Sequence, residues 1–312
     1  MKAPLAITAT VVLWASAFPA VRVGLDGYGP FGLSILRLAV ASVALLAAAP
    51  LLGVRLPARK DLPLIALCGL SGMAAYQLLL NWGEVHVPAG TASLLVATAP
   101  VFSAGLAAIW LGERLTGRKI VGSVVALAGS ALIAVSGGTV QYADAAWVLL
   151  AAAAVQGVYH FATKPLLRKY SGLEVACYAI WAGTIFSLPL APDAVRGLAH
   201  APLGSTLAVL FLALLPSAVG FVLWGYGVAR YSVTVATAAL YLVPVVAIAV
   251  SYVWLGEVPR PIELIGGAVS IAGVVLISVR KDQATSATIE SPPGGTEPRG
   301  RPRPAKKERQ LR

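Results

Sequence analysis

Charge is what this sequence has least of. Only 12% of its 312 residues are Asp, Glu, Lys or Arg, against 58% that are apolar, and a soluble domain carries about twice that share of charge. An ordinary soluble protein is thereby excluded. Cysteine is nearly absent as well: Cys68 and Cys177 both fall inside apolar runs, where a lone thiol behaves as a small apolar side chain, so no disulfide framework is expected. The three histidines, His86, His160 and His200, stand in no H-E-x-x-H setting, and the chain has neither a G-x-S-x-G elbow nor a G-x-x-x-x-G-K-[ST] loop. These gaps leave zinc hydrolysis, serine hydrolysis and P-loop ATP-driven pumping without the residues that usually perform them. We expect no enzyme, no cofactor and no metal.

What the chain does have is length without charge. Apolar runs long enough to cross a hydrocarbon core of about 30 Å as helices cover residues 4–22, 31–50, 63–82, 90–111, 119–136, 145–163, 173–190, 206–227, 233–254 and 262–279. They are continuously apolar, whereas a membrane barrel needs alternation over segments of about 10 residues. The expected fold class is an all-α integral membrane protein with ten transmembrane helices. The first run, with Lys2 before it and Ala15-Ser16-Ala17 within it, has the look of a cleaved signal. We retain it as a span, because its loss would break the pairing of halves described below.

The few cations alternate. With the N-terminus inside, Lys2, Arg55, Arg59, Lys60, Arg114, Arg118, Lys119, Lys164, Arg168, Lys169, Arg230, Arg280 and Lys281 fall on the inner side, and only Arg22, Arg196 and Arg260 fall outside. Retention of Lys and Arg in cytoplasmic loops then puts both termini in the cytoplasm. The net charge of +11 is thus a statement about topology and not a nucleic-acid signal. The tail 282–312, rich in Pro, Gly and seven further cations, is expected to be disordered, solvated and within reach of anionic lipid.

The chain also repeats itself. APVFSAGLAAIWLGERLTGRKIVG at 99–122 and VPVVAIAVSYVWLGEVPRPIELIG at 243–266 superpose with Trp110 on Trp254, Pro100 on Pro244, Gly122 on Gly266 and Ala128-Gly129 on Ala272-Gly273, an offset of 144 residues. Five crossings separate the copies, so the second runs through the membrane the other way. The turn after Glu113 lies inside and keeps Arg114, Arg118 and Lys119, while the turn after Glu257 lies outside and keeps Arg260 with Pro259 and Pro261. Two five-helix halves of inverted topology, residues 1–139 and 140–281, are a plan of secondary transporters, with a site near the midplane open alternately to either face. Gly112 and Gly256 suit helix C-termini and Thr116 a helix cap.

Trp14-Ala15-Ser16, Leu36-Arg37, Ala99-Pro100-Val101 and the paired Leu-Gly-Glu turns together resemble the EamA-type branch of the drug/metabolite transporter superfamily, over residues 4–280. The resemblance implies ten helices with cytoplasmic termini, and gradient-driven export or exchange of small metabolites. It names no substrate.

Polar side chains inside the membrane are the candidates for function, since leaving them unpaired in lipid is costly. Gln77, Asn81 and Glu84 stand at i, i+4 and i+7 on one face of span three, and Asn81 is the only asparagine. They line a pathway or glue the bundle; a buried carboxyl at Glu84 can also take up and release a proton, although its place near the outer end favours a wet, ordinary one. Gln156, Tyr159, His160 and Thr163 form a second stripe on span six, with His160 a second proton candidate. Arg37, in the outer part of span two, clasps an anionic group or ties helices together through carbonyls and Glu84. Trp14, Phe18, Tyr76, Trp224 and Tyr241, the last sharing a face with Thr234 and Thr237, are expected in the cavity wall, which suits moderately apolar or aromatic metabolites. Gly122, Ala126 and Ser130 on span five and Gly266 and Ser270 on span ten permit close approach, as an internal seam or a dimer face. Pro19, Pro100, Pro216 and Pro244 are candidate kinks.

The expected function is secondary transport, in the export direction, of small metabolites or drugs such as amino acids or related amphipathic compounds, across a bacterial inner (plasma) membrane. The expected partners are a small-molecule substrate, protons and membrane lipid, with no nucleic acid and a monomer or homodimer. Alternatives are an exchanger of nucleotide sugars or phosphorylated metabolites, which needs several intramembrane cations, and a receptor or scaffold that binds without flux. A membrane-impermeant thiol reagent applied to intact cells is expected to label a cysteine at the Leu255-Gly256 corner and to miss one at the Leu111-Gly112 corner. Labelling of both from the same side would refute the inverted halves.

Overall fold

A continuously apolar segment has one way to satisfy its own backbone in lipid, the helix. The computed structural model describes residues 3–111, 116–136, 139–228 and 240–278, and among these every regular element is helical. In chain order they are α1 (Ala3–Ala48), α2 (Leu62–Cys68), α3 (Tyr76–Gly83), α4 (Ala89–Val96), α5 (Ala99–Leu111), α6 (Gly117–Ser136), α7 (Val140–Leu167), α8 (Gly172–Ser187), α9 (Ala191–Leu198), α10 (Leu203–Leu212), α11 (Gly220–Val228), α12 (Val243–Leu255) and α13 (Pro261–Ser278). Among the described residues six helical stretches are long and apolar enough to cross a membrane, and three shorter apolar helices accompany them. Ile109 and Val253, 76% and 85% exposed, belong to an apolar exterior too extensive for water. The chain is a multi-pass membrane protein.

The first two expected spans are joined more tightly than the sequence suggests. No loop interrupts 23–30; α1 continues to Gly29, whose φ of 59° and ψ of 177° break the helix before Pro30. Residues nine apart on an unbroken helix are about 13.5 Å apart along its axis, yet a Cβ placed on Gly24 would lie 2.8 Å from Leu33 Cδ1. The chain therefore folds back at Gly29. Near the fourth expected span the helix pauses between α4 and α5, just before Pro100. Two stretches wind as π-helices, Gly69–Ala75 between α2 and α3 and Ala213–Val219 between α10 and α11.

The repeat read from the sequence recurs in the elements. The second π-helix begins and ends 144 residues after the first, α12 begins and ends 144 after α5, and Pro261 opens α13 at 144 after Gly117 opens α6. The small residues on α6 and α13 meet within one chain. A Cβ on Gly129 would lie 2.5 Å from the Gly266 carbonyl oxygen and one on Gly273 2.6 Å from that of Gly122; Ser130 and Ser270 hydroxyls are 3.1 Å apart and Ser270 donates to the Ala126 carbonyl at 2.9 Å. As numbers rise on α6 they fall on α13, so the two equivalent helices pack antiparallel.

Polar pairs close the bundle at its ends, and each joins residues that the charge count assigns to one side. At one end Arg22 Nε is 3.5 Å from Glu257 Oε1 and the Ala89 amide donates to Glu257 Oε2 at 2.9 Å. Nearby, Glu263 is 1% exposed and accepts from Tyr142 Oη at 2.6 Å, Thr91 Oγ1 at 3.1 Å and the Arg260 amide at 2.8 Å. At the other end Arg55 Nε donates to Glu174 at 2.7 Å, Lys169 Nζ to Asp61 at 2.6 Å and Arg118 Nε to the Leu276 carbonyl at 3.0 Å. Gly256 ends α12 with φ 69° and Thr116 accepts from the Lys119 amide, as their spacing predicts. Gly112, Glu113, Arg114, Arg230, Thr234, Thr237 and the tail from 282 lie outside the described residues.

Replacing Gly129 by Val forces α6 and α13 apart at backbone contact. The expected result is a loss of about 1–3 kcal/mol of stability, read as an earlier thermal transition of the purified protein in detergent. An equal change at Gly105, where an added Cβ meets nothing within 4 Å, serves as the control.

Candidate binding cavity

The packing that brings the helices together leaves a cavity among the described residues, lined from α1, α3, α4, α5, α7, α11 and α12. Its volume is about 160 Å³, room for on the order of ten waters or one small metabolite. Five pairs of its lining residues are related by the 144-residue offset: Ala17 with Phe161, Val96 with Leu240, Ala97 with Tyr241, Ala99 with Val243, and Pro100 with Pro244. The cavity therefore lies where equivalent parts of the two copies face each other. Pro100 and Pro244, two of the four candidate kinks, form its wall, each as the second residue of its helix, where proline opens a helix and does not kink it.

Its electrostatics come from a few side chains. Arg37 is 3% exposed, reaches the cavity, and donates from Nε to Ser217 Oγ at 2.7 Å and from Nη1 to Gln77 Oε1 at 2.9 Å. Both acceptors are neutral, and among the described residues no carboxylate lies within ion-pair distance of this guanidinium. Ser217 is delivered by the second π-helix, which opens the backbone just before α11. Lys164 and His160 from α7 also line the space, with Ser93, Ser103, Tyr76 and Gln156, and no Asp or Glu does. Gln156 Oε1 is buried there without a hydrogen-bond partner.

Aromatic rings form one wall. Trp14 packs on Phe221 at 5.0 Å and on Trp224 at 5.3 Å; Trp224 meets His160 at 5.7 Å, His160 meets Tyr159 at 5.5 Å, and Tyr159 meets Phe221 at 5.8 Å, closing a circuit of five rings. The circuit is held by the Trp14 Nε1 donation to the Pro216 carbonyl at 3.1 Å. Gly220 lets the indole approach, since a Cβ there would lie 2.8 Å from Nε1.

Of the residues singled out from the sequence, Trp14, Phe18, Arg37, Tyr76, Gln156, His160 and Tyr241 line the cavity. Gln77 and Asn81 stand behind it, fully buried: Gln77 holds Arg37, and Asn81 Nδ2 donates to Ser34 Oγ at 2.8 Å. Tyr159 and Trp224 back the wall through their ring contacts. Tyr159 turns from the cavity because its ring fills the space over Gly72, and Thr163, its neighbour on the stripe, bonds back to the His160 carbonyl. The ordinary, wet Glu84 expected near a helix end is not what the structure contains: the residue is 0% exposed, because Arg22 spans its carbonyl and that of Val85 and pairs with Glu257 above it. Arg37 ties helices together through side-chain oxygens, with no ion pair to Glu84. Sequence reasoning missed Ser93, Ser103, Phe161, Phe221 and Leu240; the 144-residue offset was the signal that could have paired Phe161 with Ala17 and Leu240 with Val96.

Comparison with known proteins gives this arrangement relatives. A model of the EamA-like transporter family matches residues 1–135 and 145–279. A protein of Streptantibioticus cattleyicolor described as a probable terminal-alkyne amino-acid exporter is 67% identical, over 89% of this chain and 94% of its own length. An uncharacterized transporter of Bacillus subtilis is 40% identical, over 84% of this chain and 86% of its own. A protein of Salmonella typhimurium described as a probable amino-acid metabolite efflux pump is 28% identical, over 85% and 91%. One solved crystal structure, 21% identical, shares the fold with a TM-score of 0.59, covering 88% of this chain and 96% of that one. With two family matches that together span almost the whole helical region, the chain belongs to the EamA-like transporter family.

Proposed function

We propose that the protein is a secondary transporter that exports amino acids with apolar side chains, by alternating access through the central cavity. One observation carries the reading: one small cavity presents together a buried guanidinium without a carboxylate partner among the described residues, an unpartnered buried acceptor and an aromatic wall. A zwitterion with an apolar tail supplies what each lacks. Its carboxylate completes Arg37, its ammonium donates to Gln156 Oε1 and is attracted to neighbouring ring faces, and its side chain packs against Trp14, Phe221 and Tyr241. The Streptantibioticus and Salmonella relatives, described as a probable exporter and a probable efflux pump of amino-acid compounds, support both cargo and direction.

Alternating access asks for two halves able to exchange roles. We take residues 1–139 and 140–281 as five-helix repeats of opposite topology, ten spans in all, with both termini in the cytoplasm and 282–312 a basic tail. The antiparallel packing of α6 on α13 and the 144-residue register of the elements support this. Because the small-residue faces are consumed inside the chain, they give no reason to invoke a dimer. Lys164 at the cavity favours a phosphorylated or nucleotide-sugar cargo; against it stands the scarcity of cations, Arg37 being the only deeply buried one among the described residues.

In proteoliposomes, flux of apolar amino acids is expected to exceed that of their amides and of nucleotide sugars. Arg37→Gln removes a charge-assisted contact of about 1.5–3 kcal/mol, so apparent affinity for the amino acid falls roughly 10- to 100-fold. Unchanged flux in that variant, or preference for the sugar nucleotide, would replace the reading.

A further inference from the structure

Glu84 follows directly on α3, is fully buried, and has no hydrogen-bond partner on either carboxyl oxygen. Below it on the same helical face, Asn81 Oδ1 lacks a donor and Gln77 Nε2 lacks an acceptor, while the other atom of each amide is engaged, with Ser34 and with Arg37. Open valences so concentrated mark a place where a polar species or a proton is exchanged. An ionised carboxylate without a donor costs several kcal/mol to bury. The observed arrangement fits the acid: Asn81, one helical turn away, offers an open acceptor for its O–H.

We propose that Glu84 governs the cavity without entering it, by competing with the substrate carboxylate for Arg37. With its proton on, Glu84 needs no cation and Arg37 is free for cargo. With its proton off, it needs one. The charged groups around it are Arg22 from the first part of α1, Glu257 from the turn after α12, and Arg37 from the second part of α1. Arg22 is occupied by Glu257 and by the Glu84 and Val85 carbonyls, and Glu257 repels a second carboxylate. Arg37 remains, and it holds only neutral oxygens. Exchanging Gln77 for a carboxylate roughly doubles the strength of the hydrogen bond. One guanidinium with two carboxylate suitors yields positive linkage between proton and cargo: protonation of Glu84 raises affinity and cargo binding raises proton affinity by the same factor, so the proton tunes loading of the cavity and is not the ion whose inward flow drives export. This inference rests on the amino-acid reading above. The cavity's own titratable groups, Tyr76, His160 and Lys164, and His86, which packs on Trp82, are the competing explanations of any pH effect.

The experiment is binding of L-norleucine and of its primary amide to the full-length chain in detergent, by calorimetry in two buffers of different ionisation enthalpy, from about pH 6 to about pH 9. Norleucine affinity is expected to fall by about tenfold or more as the pH rises through this range, with net proton uptake on binding at the upper end. Glu84→Gln is expected to hold the low-pH affinity throughout and to abolish the uptake, whereas His160→Gln keeps the slope. Should Glu84→Gln fail to fold, the infrared difference spectrum of the wild-type protein on binding decides, with gain of a protonated-carboxyl band expected. Flat affinity, proton release, loss of that band, or a slope surviving in Glu84→Gln would overturn the proposal while leaving the amino-acid reading intact. Equal binding of norleucine and its amide would instead overturn that reading.

Discussion

A guanidinium sealed into the centre of a membrane bundle constrains everything near it. Arg37 cannot leave its positive charge unpaired in a low-dielectric interior, and its two protein partners come from opposite halves of the sequence, Gln77 ahead of α4 and Ser217 from the second π-helix. The residue therefore ties the copies together at the point where the cavity opens. Neutral acceptors solvate the charge without cancelling it. A carboxylate in either position would have made a stronger pair and a closed site; two neutral oxygens leave a field directed into the cavity.

The repeat explains why the cavity is central. Antiparallel equivalents pack about a local two-fold, as the reciprocal approaches of Gly129 to Gly266 and Gly122 to Gly273 require, and residues near such an axis meet their own counterparts. Pro100 faces the same space as Pro244, and Ala97 the same space as Tyr241. Both copies also wind as π-helices at the same register. A π-turn takes one more residue than an α-turn and is frequent at functional sites. Here one lies directly before Tyr76 and Gln77, the other directly before Gly220 and Phe221, so each re-aims the residues that build the cavity and its support.

Much of this was legible before the fold was seen, for physical reasons. A bilayer demands long apolar helices, so nearly every run registered within a few residues; cation retention sorts loops by side, and the end-to-end ion pairs respect that sorting. Seven of the named site residues reach the cavity because intramembrane polarity and aromaticity are scarce here. What escaped was set by contacts distant in sequence. The burial of Glu84 depends on Arg22 and Glu257, 62 residues before it and 173 after it, and no local pattern reports that. Tyr159 and His160 are neighbours on one stripe, yet a helical face is wider than the cavity mouth, and the gap over Gly72 decides which ring turns away. The expected runs stop at 22 and resume at 31, so the reversal was foreseen but its place was not: the helix continues until the backbone turns at Gly29.

The departures from symmetry are as informative as the symmetry. Applying the 144-residue offset sets Gln77 against Phe221, Asn81 against Gly225, and Glu84 against Val228, while Arg37 falls on Trp181. At these four positions one copy carries Arg37 and the polar face of α3, and the other presents two rings, a glycine and a valine, while contributing Gln156, His160 and Lys164 to the cavity from α7. A duplicated scaffold with identical linings would offer a cargo two equivalent orientations. This one offers a charged pole on one side and an aromatic wall on the other, so a molecule with an ionised head and an apolar tail has a single preferred pose. Under the proposed alternating access, the scaffold's equivalence would let the cavity change sides, and the inequivalence of its lining would give the passenger a direction to face.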